Sequence, residues 1–506
     1  MKRITLILIA ILLISSIPVS AKVQKEKRLW QDETVYSIMV DRFNDGDTSN
    51  DIDTNTKDPL TFNGGDIQGI IDKLDYIQDM GFTAIRLTPI FANAKNGYHG
   101  YWVNDFYKVD EHFGTLETFQ KLVKEAHQRK IKVILDFVTN NVAATNPLVK
   151  DPSKSNWFHP KQEIADWNNR EQIENGWVNG LPDLNQDNPE VKKYLIDAAK
   201  WWMKKTEVDG FGLPEVNHVP LSFWKDFSKE VKKDKKDFFL QGIPAESTSL
   251  DLNKFQSAGI DSLFDYNQSE SLRKSFANTN QSLHSVSSNT ENSQSAFQNG
   301  TFFDNEYTVR FTSDIVDQRQ FPGSRWKTAL TYLYTTPGIP NVYYGTEIAL
   351  NGGEIPDNRR QMSFRAEKEL IDYITKLGEL RNTLPSLTRG TMEMLYNQDG
   401  MTVYMRVYQG ETSIIAINNT RKSQKVTLTK NQLEGGKELR GLLGGDLVRS
   451  HNNQYNLIID RDESEIYVLT KKSGLNIPHI ASLIVVYLLV FLFLILILKR
   501  RKRRTN

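Results

Sequence analysis

Cysteine is absent from all 506 residues. That removes disulfides, thiolate metal sites and cysteine nucleophiles together, although it does not fix a compartment. A basic surplus is also missing once the ends are set aside. The formal net charge is +1, but Lys2 and Arg3 carry two positive charges and "KRRKRR" at 499–504 carries six. Residues 22–479 are therefore left at −7. An acidic body is a poor partner for nucleic acid, and none is expected; calcium is the more natural companion.

Both termini differ from that body. "MKRITLILIAILLISSIPVSA" has a basic start, an apolar run and a small-residue end at Val19-Ser20-Ala21. It reads as a secretion signal over 1–21. Residues 480–498 form an apolar run of bilayer-spanning length, and the basic cluster of 499–506 follows at once. The positive-inside rule sets that tail in the cytoplasm and the body outside, a single-pass membrane protein. The linker, 472–479, is short enough to keep the body within about 30 Å of the bilayer.

Between the ends, apolar runs alternate with helical patterns. Strands are expected at 34–40, 84–90, 132–138, 210–216, 238–244, 262–266, 308–314 and 339–345. Eight strands alternating with helices point to an α/β (β/α)8 barrel over 29–388. An irregular insertion, about 142–182, follows the third strand and belongs to the functional face of such a barrel. From 389 to 471 the period changes to two, as in "MTVYMRVY", which predicts a separate antiparallel β domain. The polar tract at 278–295 is expected to form an exposed loop or polar helix.

The segments "GGDIQGIIDKLDYIQDMGFTAIRLTPIF", "YHGYWVNDFYKVDEHFGT", "VILDFVTNN", "GLPDLN" and "PGIPNVYYGTEIAL" occur in that order. Together they resemble the α-amylase family, glycoside hydrolase family 13, from about residue 29 to 469. The resemblance implies retaining chemistry on α-glucosidic bonds, which uses two carboxyl groups about 5–5.5 Å apart. It also implies where they should stand. The nucleophile motif, normally Asp-Gly-Phe-Arg-Leu-Asp, reads "DGFGLP" here, with Gly212 and Pro214 in the fourth and sixth places. Ile243 of "FFLQGIPAES" takes the acid/base place. With the third motif set at "FTSDIVDQR", Phe311 and Arg319 are kept, while Ile315 and Val316 replace its histidine and aspartate. Asn141 and Ile355 replace two further family residues. Nearby Glu215, Glu246, Asp314 and Asp317 could be displaced substitutes, but strand alternation turns Glu215 away from the face of Pro214.

Two calcium sites are implied by the resemblance. One uses Asp45, Asp47, Asn50, Asp51, Gly64 and Asp66, clustered hard oxygens on a tight loop. The other uses Asn140, Asp183 and the main-chain carbonyl of His218. Sugar contacts are implied for His99, Tyr101, Trp102 and Arg359. The expectation is a membrane-anchored, outward-facing protein without catalytic activity, in α-glucan binding or docking at the cell surface. Its alternatives are an α-glucan hydrolase with displaced carboxylates, and a partner subunit of a membrane transporter.

Overall fold

Trp30 stacks on Phe239 at 4.0 Å and closes the bottom of a barrel whose strands run in a single direction. The computed structural model describes residues 28–245, 250–283, 299–472 and 477–502. The segment 1–21 expected to be a secretion signal, Glu246 and most of the polar tract at 278–295 lie outside them. The first strands are β1 (Val35–Ile38) and β2 (Ala84–Leu87). A hairpin follows, β3 (Phe91–Asn93) and β4 (Val103–Val109). The barrel resumes with β5 (Lys132–Asp136), β6 (Gly210–Pro214), β7 (Phe239–Ile243), β8 (Ser262–Leu263), β9 (Gly300–Thr301) and β10 (Ile339–Tyr343). The sheet order is β8-β7-β6-β5-β2-β1-β10-β9, and a parallel bridge from Phe264 to Gly300 completes the ring.

Seven strands fall where the sequence places them. The remaining one does not: β9 lies at 300–301, and "TVRFTSD" instead leads into a helix, Phe311–Asp317. The β-branched look of that segment is overridden locally. The Asp304 carboxylate accepts the Phe311 amide (2.9 Å) at the helix start. Arg310 buries its guanidinium on the carbonyls of Asn358 (2.8 Å) and Tyr344 (2.7 Å).

Strand alternation builds the interior in layers. Val35, Ala84, Ile134, Phe239 and Ile339 form the apolar bottom layer above Trp30. Two residues further along the same strands come Ser37, Arg86, Asp136, Gln241 and Asn341, all buried and all polar. Above them Ile243, Phe264 and Phe302 make an apolar seal, with Tyr266 and Tyr307 packed against it.

The outer helices follow from capping and apolar spacing. In Leu116–Gln128, Thr115 accepts the Thr118 amide (3.1 Å), and Phe119, Leu122, Val123 and Ala126 are buried at helical spacing. Pro189–Thr206 starts on an Asn188 cap with proline in its first turn and stops at Glu207, φ 60°. Its Trp202 is fully buried against Phe91 and Phe119, and its Nε1 donates to the Phe106 carbonyl (2.6 Å). Truncating it to alanine is expected to cost about 3–5 kcal/mol.

The C-terminal domain adds β11 (Thr391–Gln398), β12 (Met401–Tyr408), β13 (Glu411–Asn418), β14 (Gln424–Leu428), β15 (Lys437–Gly441), β16 (Leu447–Arg449), β17 (Tyr455–Ile459) and β18 (Ser464–Lys471). Six of them form an antiparallel sheet in the order β11-β12-β13-β18-β15-β16, and β14 pairs with β17. Val403, Ile414, Ala416, Leu457 and Tyr467 fill the space between. A final helix, Ile477–Lys502, contains the exposed apolar stretch Ser482–Arg500 with mean hydropathy 2.9, long enough to cross a membrane.

Candidate functional site

A cleft of about 570 Å³ opens at the C-terminal ends of the strands, where barrel proteins carry their sites. His99, Tyr101, Trp102 and Arg359, expected from sequence as sugar contacts, all line it. So do Pro214, Asn141 and Ile355. The aromatic side chains form one connected wall. His99 lies 4.6 Å edge-on from Trp102 and 5.5 Å from Tyr101, whose ring is 5.8 Å from Tyr307. The Tyr101 amide donates to His99 Nδ1 (3.1 Å). Burial, with Arg359 and Arg42 nearby, pushes the His99 pKa well below its usual value, so its ring is neutral. Arg359 is fixed by Nε on the Glu306 carbonyl (3.1 Å) and Nη1 on the Tyr98 hydroxyl (3.3 Å).

Three sequence placements require correction. Val316 is not at the cleft: it lies on the helix Phe311–Asp317, is 46% exposed and lines no part of the site. With β9 at 300–301, the third motif falls on "FFDNEYTVR", 302–310. It keeps Asp304, Asn305 and Arg310, and puts Glu306 and Tyr307 in the places of the histidine and aspartate. Ile243 faces the apolar seal rather than the cleft, fully buried with Phe264 and Phe302. Glu215 does not turn away. Its φ of 54° is left-handed, which breaks the alternation that would have pointed it outward. The side chain enters the cleft, where Oε2 accepts Nδ2 of Asn140 (3.0 Å) and of Asn141 (2.8 Å). Burial raises its pKa, and the two amides oppose that rise. Among the described residues it is the one carboxylate on the cleft wall. Sequence reasoning also missed Lys95, Asn96, Tyr98 and Tyr307. Only Tyr98, the first residue of "YHGYW", carried a readable signal.

Below the cleft floor, Arg86 binds Asp136 and Glu306 through both forks of its guanidinium. Burial would lower the arginine pKa, but the two carboxylates outweigh it and hold the group charged. The Tyr101 hydroxyl lies 3.4 Å from Asp136 Oδ2 and 3.3 Å from Glu306 Oε1.

The residues of the first expected calcium site lie together, and in the second Asn140 and Asp183 sit on paired segments, with His218 buried on the short helix Val216–His218 after β6. Around Gly64, φ 94°, an added Cβ would fall 2.7 Å from Asp51 Oδ1 and 3.6 Å from Asp45 Oδ2. Asn50 Oδ1 and Asp51 Oδ1 are buried without a partner. Burial, then Asp51, Asp66 and Asp47, raises the Asp45 pKa, the mark of like charges held close. Asp66 instead organises the loop, accepting the amides of Asp47 (2.8 Å) and Gly69 (2.5 Å). Asp47 accepts the Ser49 amide (3.1 Å). In the second set, Asn140 Oδ1 and Asp183 Oδ1 are both buried and unpartnered. Burial and then Glu215 lift the Asp183 pKa well above the usual range. Its other oxygen lies 2.6 Å from His159 Nδ1, a loop contact that sequence did not place. No three His, Cys, Asp or Glu side chains among the described residues are grouped to hold a metal by themselves. Both sets rely on carboxamide and main-chain oxygens as well, which is hard-cation chemistry.

A family profile described as the alpha amylase catalytic domain matches residues 37–383, and one described as the alpha-amylase C-terminal domain matches 390–467. The chain is 35% identical over 458 residues, 87% of its length, to a beta/alpha-amylase of Paenibacillus polymyxa, of which it spans 38%. It is 32% identical to a cyclomaltodextrinase of Thermoanaerobacter pseudethanolicus, covering 84% of this chain and 76% of that one. The crystal structure of an α-amylase from Geobacillus thermoleovorans, complexed with acarbose, superposes with a TM-score of 0.85 at 54% identity. That match covers 88% of this chain and all of the other. These relatives overturn the expectation of a docking protein or transporter subunit without catalytic activity, because at such identity they are named as enzymes.

Proposed function

Since this chain belongs to the α-amylase family, we propose that its cleft takes an α-linked malto-oligosaccharide and that Glu215 is the acid that works on the linkage. The observation that carries this reading is Glu215 itself, turned into an aromatic-walled cleft by its left-handed backbone. Pro214, Ile243 and Tyr307 have no group that can exchange a proton with a glycosidic oxygen near neutral pH, and Asp136 and Glu306 are engaged by Arg86. A protonated Glu215 can give its proton to that oxygen as the C1–O bond breaks. The water that adds to C1 then returns a proton to the carboxylate, so the group is regenerated. Trp102 and Tyr101 offer ring faces to sugar CH groups, and Arg359 and Asn141 offer donors to hydroxyls.

Calcium belongs to the same proposal. Asp45, Asn50, Asp51 and the Gly64 main chain would hold one ion, and Asn140, Asp183 and the His218 carbonyl a second. Bound calcium supplies positive charge that neutralises these carboxylates and ties the loops to the barrel. The stretch Ser482–Arg500 is proposed to anchor the protein in a membrane with the barrel outside.

The test uses full-length protein in detergent with calcium present. Maltotriose binding is measured by calorimetry, and release of reducing sugar from maltotriose and soluble starch is followed. Binding with turnover supports the reading. No binding at millimolar maltotriose sinks it, and binding without turnover removes the assigned role of Glu215.

A further inference from the structure

The polar layer of the barrel contains a charged cluster that the cleft does not consume. Arg86 rises from β2 and forks onto Asp136 (2.8 and 2.6 Å) and onto Glu306 (3.3 and 2.5 Å). All three side chains are at most 2% exposed. The seal of Ile243, Phe264 and Phe302 lies above them, and the apolar layer around Phe239 below. On β6, Gly212 pairs in register with Asp136. A Cβ on Gly212 would fall 1.9 Å from Asp136 Oδ1 and 3.2 Å from Arg86 Nε. The glycine is therefore the space into which the Arg86–Asp136 pair fits. It stands at the motif position where the resemblance expects arginine.

We propose that the barrel's central guanidinium has changed strands, from position 212 on β6 to position 86 on β2, and that Arg86 is now the positioning residue for the cleft floor. Two carboxylates packed this closely in a dry interior need one planar, permanently charged partner that can fork onto both. The arrangement reaches the cleft along two routes. The Tyr101 hydroxyl rests on Asp136 and Glu306 from above. The main-chain carbonyl of Glu306 accepts Arg359 Nε and Asn358 Nδ2 (both 3.1 Å). Arg86 touches no ligand; it sets where Tyr101, Tyr307 and Arg359 stand. The effect on sugar affinity rests on the functional reading above, whereas the strand exchange does not.

The test is a mutant cycle on the full-length protein: Arg86→Leu, Arg86→Lys, Gly212→Arg and the double variant Arg86→Leu/Gly212→Arg. Arg86→Leu leaves two buried carboxylates unpaired and is expected to lower Tm by roughly 5 °C or more. Gly212→Arg alone overpacks against Arg86 and Asp136 and should lower Tm as well. Arg86→Lys, a point charge without a fork, should recover little. The double variant should regain at least half of the lost Tm, together with the maltotriose affinity that Arg86→Leu lowers by more than tenfold. Should Arg86→Leu yield no soluble protein, recovery of soluble protein by the double variant counts for the proposal and its failure against. A double variant no better than the worse single change overturns it, as does Arg86→Lys behaving like the wild type. If the wild type binds no maltotriose, the functional reading fails and the Tm cycle alone decides this one.

Discussion

Replacing Glu215 by glutamine separates chemistry from structure at one position. In the native cleft a single oxygen, Oε2, accepts both Asn140 Nδ2 and Asn141 Nδ2. A glutamine carbonyl can keep both contacts, and the substitution removes a buried charge that lies close to Asp183. Stability should therefore stay within about 1 kcal/mol of wild type. Sugar affinity should change by less than about threefold, since the wall of His99, Tyr101 and Trp102 is untouched. The rate should fall by about 100-fold or more, the usual worth of a positioned proton donor. Glu215→Ala behaves differently: it strands two amides, roughly 2–6 kcal/mol in all at about 1–3 kcal/mol for each unpaired group. Urea unfolding followed by tryptophan fluorescence reads the stability, and reducing-sugar release with calorimetry reads the rest. A Glu215→Gln protein that hydrolyses maltotriose at the wild-type rate would refute the assignment outright. A Glu215→Ala protein as stable as Glu215→Gln would refute the hydrogen-bond account.

Chelation with excess EGTA should lower Tm by several degrees, as expected for ions that bind only the folded state, with calcium restoring it and magnesium not. Gly64→Ala, at φ 94° and 2.7 Å from Asp51 Oδ1, should cost roughly 1–3 kcal/mol and abolish part of that calcium response in a thermal melt. Burial works to raise the Asp209 pKa, but His127, Lys235 and the Val133 amide outweigh it and hold the group below its usual value. Its contribution is therefore present above the unfolded carboxylate pKa near 4 and is lost as pH falls through the lower folded value. Asp209→Asn should cost about 1–2 kcal/mol at pH 7, after discounting its part-exposed partners, and should flatten the acid limb of a stability–pH curve. Trp102→Ala should weaken maltotriose about tenfold by calorimetry, and Val316→Ala, outside the cleft, should leave it unchanged.

Seven of eight barrel strands were legible because each is a run of apolar residues that ends near a turn. β9 was not, because two residues carry no periodicity and "TVRFTSD" imitates a strand while Asp304 and Arg310 fix it as a helix start. That slip moved the third motif and put Val316 where Tyr307 belongs. Aromatic residues at the cleft were readable from "YHGYW", since their spacing and composition survive. Glu215 was hidden by a backbone angle that no side-chain pattern encodes. Arg86 lay inside a quoted motif without drawing notice, because its partners come from β5 and from the turn after β9, 50 and 220 residues away.

The apolar seal also governs how this barrel can change. A carboxylate introduced at 243 would land among Phe264 and Phe302, and one at 214 would follow a glycine that cannot be refilled while Arg86 occupies its space. An arginine at 212 thus meets an obstacle built on a different strand, the Arg86–Asp136 pair. Shifting the guanidinium between β2 and β6 therefore takes paired replacements at 86 and 212.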